Sequence, residues 1–194
     1  MIVTEKTYNE EYCRKIDAKR WRYKTIPVAM EVIYNHFKPI SVVDIGCANG
    51  IHLWALRKLG TQFTFGIEGT PHWAPYIEKN FGDQYLITDF REPLDLGKSF
   101  ELVMCLEVLE HLEKKSSTQA VKNLVSLGDT LLISACPVTG GFHHVNPQPR
   151  EYWIEKFKRN GVTYCHEESM ELQSKFKDVR CSAWFKENLK IFRK

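Results

Sequence analysis

The stretch Ser41-Val-Val-Asp-Ile-Gly-Cys-Ala-Asn-Gly50 decides the fold expected for this chain. Its first half, Ser41 to Ile45, is a short apolar run that predicts a buried strand. Gly46 to Gly50 predict a turn, and apolar residues at helical spacing begin at Ile51. A strand, a glycine-bearing turn and a helix form the ligand-binding start of doubly wound sheets, because glycine allows close backbone approach and the helix start has free N–H groups.

The spacing of the glycines differs from the dinucleotide-binding fingerprint. That fingerprint requires glycine at the first, third and sixth positions, whereas Ala48 lies between Gly46 and Gly50, and the acid Asp44 precedes them. The pattern acid-x-Gly-x-Ala-x-Gly resembles motif I of the class I S-adenosylmethionine-dependent methyltransferases, which have glycine at the middle position. A strand that turns into a helix without binding any ligand is the alternative for this stretch taken alone.

Acids follow the next two predicted strands. Phe63 to Ile67 predicts the second strand, and Glu68 at its end is placed to accept hydrogen bonds from a ribose diol. Tyr85 to Thr88 predicts the third strand, which is followed by Asp89 and Phe90. The resemblance implies that Asp89 and Phe90 bind adenine. A solvated strand end for Glu68 and a surface turn for Asp89 are the alternatives.

The fourth predicted strand leads into a charged segment. Phe100 to Leu106 is almost continuously apolar, which is typical of a central parallel strand covered on both faces. The sequence Glu-Val-Leu-Glu-His that follows, Glu107 to His111, resembles the segment after the fourth strand in many small-molecule and glycan methyltransferases. If it is helical, Glu107, Glu110 and His111 share one face at the edge of the sheet where ligands bind.

Three roles are open for this segment. His111 could be a general base that takes a proton from a hydroxyl, because its ordinary pKa of about 6.5 suits that task. Glu107, Glu110 and His111 could instead hold a divalent cation together with His143 or His144. That pattern resembles the metal site of the small-RNA 3′-end 2′-O-methyltransferases, and a similar Glu-x-x-Glu-His occurs in ubiquinone-pathway O-methyltransferases. In the third interpretation these side chains only brace the loop, and our assignment includes no metal ligand.

A loop rich in glycine, proline and histidine follows the fifth predicted strand, Thr130 to Ala135. It lies beyond the sheet, where an acceptor substrate would bind. With the helix after Pro149 and the late segment 184–192, this loop resembles a group of small bacterial and phage methyltransferases. The resemblance implies that His144 and Asn146 face the acceptor. Capping of a strand or helix end is the alternative for His144.

The two flanks give weaker signals. Residues 7–24 alternate charged and aromatic side chains and predict a helix over the edge of the sheet, and Pro27 is expected to start a second helix that ends at Phe37. In the fold class that the chain resembles, such leading helices often cap the cofactor pocket. Residues 165–182 are polar and are interpreted as a lid or a mobile insertion.

Composition favours a single domain, with 1–40 as an N-terminal helical cap and 41–194 as the catalytic core. The 194 residues are 43% hydrophobic, which suits one sizeable core. No apolar run approaches the roughly 20 residues of a membrane span, and the N-terminus lacks a secretory signal. Six scattered cysteines without a Cys-x-x-Cys pair indicate a reducing, cytoplasmic setting. The net charge of +3 is too small to identify a nucleic-acid partner.

Together these features predict an α/β protein with the Rossmann-like class I methyltransferase fold. We expect a mostly parallel seven-stranded sheet with helices on both faces and an antiparallel final hairpin. The resemblance implies S-adenosylmethionine as cofactor, bound by Asp44, Gly46, Cys47, Gly50, Glu68, Gly69, Asp89, Phe90 and Leu106. The catalytic candidates are Glu107, His111 and His144.

The expected acceptor is an oxygen of a sugar or small metabolite, so the partner would be a small molecule or glycan, with no membrane. One alternative is a metal-dependent RNA-end 2′-O-methyltransferase. Another is a methyltransferase fold that serves as a binding or assembly component without turnover.

Overall fold

A computed structural model describes residues 7–194, except for the side chains of Arg20 and Trp21, so the first six residues of the predicted cap lie outside the description. The strands are β1 (Ser41–Ile45), β2 (Phe63–Glu68), β3 (Tyr85–Ile87), β4 (Leu102–Leu106), β5 (Thr130–Ser134), β6 (Thr163–Tyr164) and β7 (Lys190–Arg193). They form one sheet in the order β3-β2-β1-β4-β5-β7-β6. β1 to β5 are parallel, and β7 is antiparallel to both β5 and β6. The predicted sheet is therefore confirmed, including its antiparallel final hairpin.

The helices lie on both faces of this sheet. They are α1 (Glu10–Asp17), α2 (Arg20–Phe37), α3 (Ile51–Leu59), α4 (Ala74–Asn80), α5 (Ser117–Ser126), α6 (Arg150–Lys158), α7 (His166–Ser174) and α8 (Ala183–Glu187). Because side chains alternate along a strand, β1 sends Val42 into one apolar cluster and Val43 into another. The first cluster contains buried residues of α1 to α4, α7 and α8, and the second contains those of α5 and α6.

The N-terminal helices differ from the prediction. Helix α2 begins at Arg20, so Pro27 lies inside it and does not start it. An interior proline costs a backbone hydrogen bond, but Ile26 is buried in the same cluster as Met30 and Ile33. The packing of these apolar side chains therefore favours a continuous helix on both sides of Pro27. The predicted helix over 7–24 is divided between α1 and the start of α2.

The polar stretch 165–182 is a packed part of the core, and the prediction of a lid or mobile insertion was wrong. Leu172 and Phe176 are fully buried. The Ile191 N–H donates to Ser169 Oγ at 2.9 Å, and Gln173 Nε2 donates to the Leu189 carbonyl at 2.7 Å. These bonds hold α7 against the start of β7.

No helix between residues 7 and 194 is both long and apolar enough to cross a membrane.

Because β1 to β5 are parallel, their carboxyl ends lie along one edge of the sheet. Ile45 pairs in register with Ile67 of β2 and with Cys105 of β4. The residues that follow these three strands are therefore neighbours in space.

Candidate functional site

A cleft of ≈ 290 Å³ opens at the carboxyl ends of β1, β2 and β4. The glycine turn, the loops after β3 and β4, and residues of α1, α2 and α8 form its walls. A larger hollow of ≈ 490 Å³ lies at the opposite edge, near Ser41, Leu102 and Thr130, where three strands begin. Ligands of open α/β sheets bind beyond the carboxyl ends of the strands, so we assign the functional site to the cleft.

Most of the residues predicted to bind a cofactor lie on the cleft wall: Gly46, Cys47, Glu68, Gly69, Asp89, Phe90 and Leu106. Asp44 and Gly50 do not line it. Asp44 is 1% exposed, and its Oδ2 lies 3.1 Å from Nδ1 of His52, which does line the cleft. Asp44 therefore positions a cleft residue without facing the cleft itself.

The glycine turn has a backbone that requires its glycines. The φ angles of Gly46, Ala48 and Gly50 are +74°, +49° and +72°, in the left-handed region that costs a residue with a Cβ roughly 1–2 kcal/mol. A Cβ at Gly46 would also clash with Cγ2 of Val108, in the loop after β4. The two loops on either side of the cleft thus pack directly on each other.

Glu68 connects this turn to the end of β2. Its carboxylate accepts hydrogen bonds from the backbone N–H groups of Ala48 (2.9 Å), Gly69 (2.8 Å) and Thr70 (3.1 Å). Burial nevertheless raises the pKa of Glu68 to about 7, and the nearby charge of Asp44 adds to the rise, while the three N–H groups oppose it. Glu68 thus fixes the shape of the cleft floor.

We expect the raised pKa of Glu68 to make stability depend on pH. Between its ordinary pKa of 4.5 and about 7, the folded protein binds more protons at this site than the unfolded chain does. The free energy of unfolding should therefore fall as pH rises through this window, by on the order of 3 kcal/mol, and level off above it. Urea unfolding of wild type and Glu68→Gln across this range measures the effect. If both proteins show the same pH dependence, Glu68 is not its source.

Arg22 is a cleft residue that the sequence did not reveal. It lines the cleft, and its Nε is buried without a hydrogen-bond partner in the described part of the chain. Burial also lowers the pKa of its guanidinium. The only signal in the sequence is its place one helical turn before the buried Ile26. A partly buried cation that faces a cleft is suited to bind an anionic group.

Asp89 lies at the edge of the cleft and is already paired. Arg91 Nε donates to Oδ1 at 2.9 Å and Nη2 donates to Oδ2 at 2.7 Å. These bonds hold the pKa of Asp89 below its ordinary value. Phe90, next to it, is buried with part of its ring on the cleft wall.

The segment after β4 is not the predicted helix. Glu107 has a φ of +57°, and only Leu109–His111 form a short 3₁₀ helix. The Glu107 N–H is held by Ser134 Oγ at 3.0 Å, which ties the end of β4 to β5 while the chain turns. The condition on which Glu107, Glu110 and His111 would share one helical face, a helix through all five residues, is therefore not met. Glu107 and His111 line the cleft, whereas Glu110 points behind it.

Glu110 is fully buried, and neither oxygen of its carboxylate has a hydrogen-bond partner among the described residues. Burial raises its pKa to about 8, and the charge of Glu107 adds to the rise, while the backbone N–H groups of Glu110 and Cys136 oppose it. Burial also lowers the pKa of His111 to about 4, so its imidazole is neutral at pH 7. His111 Nδ1 lies 3.1 Å from the His143 carbonyl and 2.9 Å from the Tyr8 hydroxyl.

The loop after β5 brings His144 to the same place. One ring nitrogen of His111, one of His144 and one oxygen of Glu110 all lie within 4.8 Å of one another. His144 Nδ1 lies 3.2 Å from the Val138 carbonyl, and its ring packs on Gly141, where a Cβ would overlap it. Asn146 does not line the cleft. It is 2% exposed, and its Oδ1 accepts a hydrogen bond from Gln148.

Tyr8 and Tyr12 of the N-terminal segment cover one side of the cleft. The Thr70 hydroxyl donates to the Tyr8 carbonyl at 3.3 Å, and the Tyr8 hydroxyl reaches His111. Tyr12 stacks on Phe142 with ring centroids 4.8 Å apart. This segment is thus joined to the ends of β2 and β4 and to the loop after β5.

Several known proteins are similar in sequence to the part of the chain that contains β1 to β5. The family model described as a methyltransferase domain matches residues 14–132. A tRNA U34 carboxymethyltransferase of Vibrio cholerae is 28% identical over 120 residues, which cover 57% of this chain and 37% of that protein. A ubiquinone biosynthesis O-methyltransferase of Colwellia psychrerythraea is 33% identical over 107 residues, or 52% of this chain and 43% of that one. The matched regions span less than half of these relatives.

The similarity in fold covers more of the chain than the similarity in sequence does. A TehB-like S-adenosylmethionine-dependent methyltransferase of Corynebacterium glutamicum superposes with a TM-score of 0.67 at 17% identity, covering 96% of this chain and 100% of that one. At this identity the likeness shows the fold alone, and it confirms the predicted fold class.

Proposed function

Since the chain belongs to the methyltransferase domain family and has the class I fold of S-adenosylmethionine-dependent enzymes, we propose that it transfers a methyl group from S-adenosylmethionine to an oxygen of a sugar or small metabolite. The observation that carries this proposal is the single cleft that Gly46, Glu68 and Asp89 line together. The name of the ubiquinone biosynthesis O-methyltransferase relative supports an oxygen acceptor.

The residues of the cleft fit the cofactor. Gly46 adopts the left-handed backbone that places the turn on the cleft wall, and Val108 packs where its Cβ would lie. Glu68 would accept one ribose hydroxyl on the lone pair that the three N–H bonds leave free. Asp89 and Phe90 would bind the adenine edge and face. When bound, S-adenosylmethionine supplies a reactive methyl group on a positively charged sulfur, so the chain has to position an acceptor and exclude water.

Arg22 would bind the carboxylate of the methionine part, because it is a partly buried cation in the same cleft whose Nε has no hydrogen-bond partner among the described residues. We expect Arg22→Ala to weaken binding of S-adenosylhomocysteine by roughly 10- to 100-fold, the effect of losing a hydrogen bond between charged groups. Calorimetric titration with S-adenosylhomocysteine measures this loss.

Methylthioadenosine provides the control, because it has the base and ribose but lacks the amino acid part. Its affinity should be the same for Arg22→Ala and for wild type. Arg14→Ala, on the exposed side of α1, should bind both ligands normally. Equal weakening of both ligands by Arg22→Ala would show a general disturbance of the cleft and contradict the assignment.

The acceptor would lie between the cleft and the loop after β5. Glu107 and His111 line this end, and His144 lies beside His111 with ring centroids 4.9 Å apart. A hydroxyl that gains a methyl group must lose its proton, so it needs hydrogen-bond acceptors at the reacting oxygen. We assign Glu107, His111 and His144 to holding the acceptor oxygen, and Glu107 and His144 to receiving its proton, because the lowered pKa of His111 makes its imidazole a weak base.

Transfer of radiolabel from S-adenosylmethionine tests the proposed function. The purified protein would be offered phenols and catechols, nucleotide sugars, and bulk tRNA, with Glu68→Ala as the inactive control. We expect label in a hydroxylated small molecule as an O-methyl ether. Label only in RNA would contradict the small acceptor and favour a nucleic acid, in keeping with the name of the tRNA-modifying relative. Normal binding of S-adenosylhomocysteine without any transfer would favour a component that binds but does not turn over.

A further inference from the structure

Aromatic rings bound the part of the cleft next to Glu107 and His111. Trp184 of α8 lines the cleft, and Asn188, one helical turn later, donates a hydrogen bond from Nδ2 to Oε1 of Glu107 at 3.4 Å. Because residues four apart share a helix face, Trp184 lies on the Glu107 side. Tyr8 lies on the other side, where its hydroxyl is 2.9 Å from Nδ1 of His111. We call this region the acceptor end.

The indole of Trp184 is anchored to the protein core. It stacks on Phe185 with ring centroids 3.7 Å apart, and Phe185 stacks on Phe176 at 5.2 Å. Both phenylalanines are buried, whereas Trp184 is half-buried on the cleft wall. An indole fixed in this way offers a flat apolar surface on which an aromatic ring of a ligand can stack.

Cations are scarce at the acceptor end. On the described part of the cleft wall the arginines are Arg22 and Arg91, and no lysine lies there. Arg91 is paired with Asp89, and Arg22 is assigned to the methionine carboxylate. The loop over 136–149 contains no lysine or arginine either. A phosphate or carboxylate on the acceptor would therefore lack a lysine or arginine partner, which makes its burial unfavourable.

The loop after β5 continues this apolar character to the surface. Val138, Phe142 and Val145 are 62%, 56% and 48% exposed. They flank His144, whose Nδ1 lies 3.2 Å from the Val138 carbonyl, and Phe142 packs edge-on against Tyr8. Exposed apolar side chains that adjoin one another beside a cleft are typical of a ligand-binding groove. We call these three side chains the apolar rim.

We propose that the acceptor is an uncharged phenol with an apolar substituent. Its ring would stack on Trp184, its hydroxyl would lie beside Glu107 and His144, and its substituent would extend over the apolar rim. This inference rests on the proposed function, because it names the acceptor class of the same cleft. It favours an aromatic metabolite over a nucleotide sugar, since the diphosphate of such a sugar would have no cation to pair with.

The proton balance of methyl transfer also suits a phenol. The phenol oxygen forms a bond to the methyl carbon while the bond from that carbon to sulfur breaks and its electron pair stays on sulfur. The phenol proton passes to Glu107 or His144. A carboxylate and an imidazole are weak bases, and a phenol, with a pKa of about 10 like the tyrosine side chain, gives up its proton far more readily than an aliphatic hydroxyl does.

Calorimetric titration of the protein saturated with S-adenosylhomocysteine tests this inference. The probes are phenol, para-butylphenol, para-hydroxyphenylpropanoate, whose chain ends in a carboxylate, and a uridine diphosphate sugar. We expect para-butylphenol to bind roughly tenfold more tightly than phenol or the propanoate, because its chain buries apolar surface on the rim. The nucleotide sugar should not bind at the same concentrations.

Variants connect this preference to the apolar rim. In the double variant Val138→Ser and Val145→Ser, the ratio of the affinities for para-butylphenol and phenol should fall to roughly threefold or less, because apolar contact with the chain is lost. Met170→Ser is the matched control. Met170 is 46% exposed on α7 and does not line the cleft, so this variant should keep the wild-type ratio. Trp184→Leu should weaken phenol and para-butylphenol alike.

The outcomes separate this inference from the proposed function. Equal affinities for para-butylphenol, phenol and the propanoate would overturn the inference, as would tighter binding of the nucleotide sugar or a wild-type ratio in the double variant. Absence of phenol binding would overturn it as well. If S-adenosylhomocysteine does not bind, titrations of the protein alone are judged by the same criteria. Rim-dependent binding of para-butylphenol without transfer of radiolabel would support the acceptor class and count against methyl transfer.

Discussion

Glu68→Ala is expected to abolish measurable binding of S-adenosylhomocysteine and to lower the free energy of unfolding by about 2–4 kcal/mol, since each of the three lost hydrogen bonds contributes about 0.5–1.5 kcal/mol net. The substitution removes the acceptor of three backbone N–H groups at once, those of Ala48, Gly69 and Thr70. Two of these groups follow β2, and the third lies in the glycine turn. Without the carboxylate, the turn loses its connection to β2 and the ribose loses its proposed partner.

Two variants make this result interpretable. Glu155→Ala removes an exposed carboxylate on α6, away from the cleft, and should change neither quantity. Glu68→Gln keeps a side-chain oxygen that can accept hydrogen bonds from the N–H groups of Gly69 and Thr70. Its amide N–H₂ would face the N–H of Ala48, so that hydrogen bond is lost. Its free energy of unfolding should therefore lie between those of Glu68→Ala and Glu155→Ala. Calorimetry and urea unfolding give the two measurements. Unchanged affinity for S-adenosylhomocysteine in Glu68→Ala would remove Glu68 from the site.

The second large effect is expected from Gly46→Ala, which should lower the free energy of unfolding by about 2–4 kcal/mol, the sum of left-handed strain and overpacking. The φ of +74° disfavours any Cβ, and a Cβ would also clash with Val108. The loop after β4 would have to move, and the cleft wall that it forms would move with it. Binding of S-adenosylhomocysteine should therefore fall together with stability.

The two causes can be separated. Gly82 has a φ of +95° and no atom within 4 Å of an added Cβ, so Gly82→Ala should show only the strain, about 1 kcal/mol. Val108→Ala in the Gly46→Ala background should recover the part due to the clash. If Gly46→Ala and Gly82→Ala lose equal stability, the contact with Val108 does not matter.

The sheet was largely predictable because its strands are short apolar runs that end at glycine or an acid. β1 and β4 are buried on both faces, and such strands give a continuous apolar run whose short length favours a strand over a helix. The antiparallel final hairpin followed from the resemblance rather than from any residue pattern. The carboxyl-end rule then placed Gly46, Glu68 and Leu106 around one cleft.

The local geometry of the site was not predictable, because it depends on contacts between distant segments. Ser134 holds the Glu107 N–H from another strand, and this favours a turn where spacing indicated a helix. The packing of Ile26 allows α2 to contain a proline. The burial of Arg22 Nε and of the Glu110 carboxylate leaves no trace in the sequence, since both are ordinary charged residues there.

Two tyrosine side chains of the N-terminal segment line the cleft where a ligand would enter and leave. Tyr8 and Tyr12 contact His111 and Phe142 on the far side of the opening. These contacts cover a ligand bound in the cleft on this side. We therefore expect the rate of ligand release to rise when the contacts of Tyr8 and Tyr12 are removed, while the seven strands stay in place.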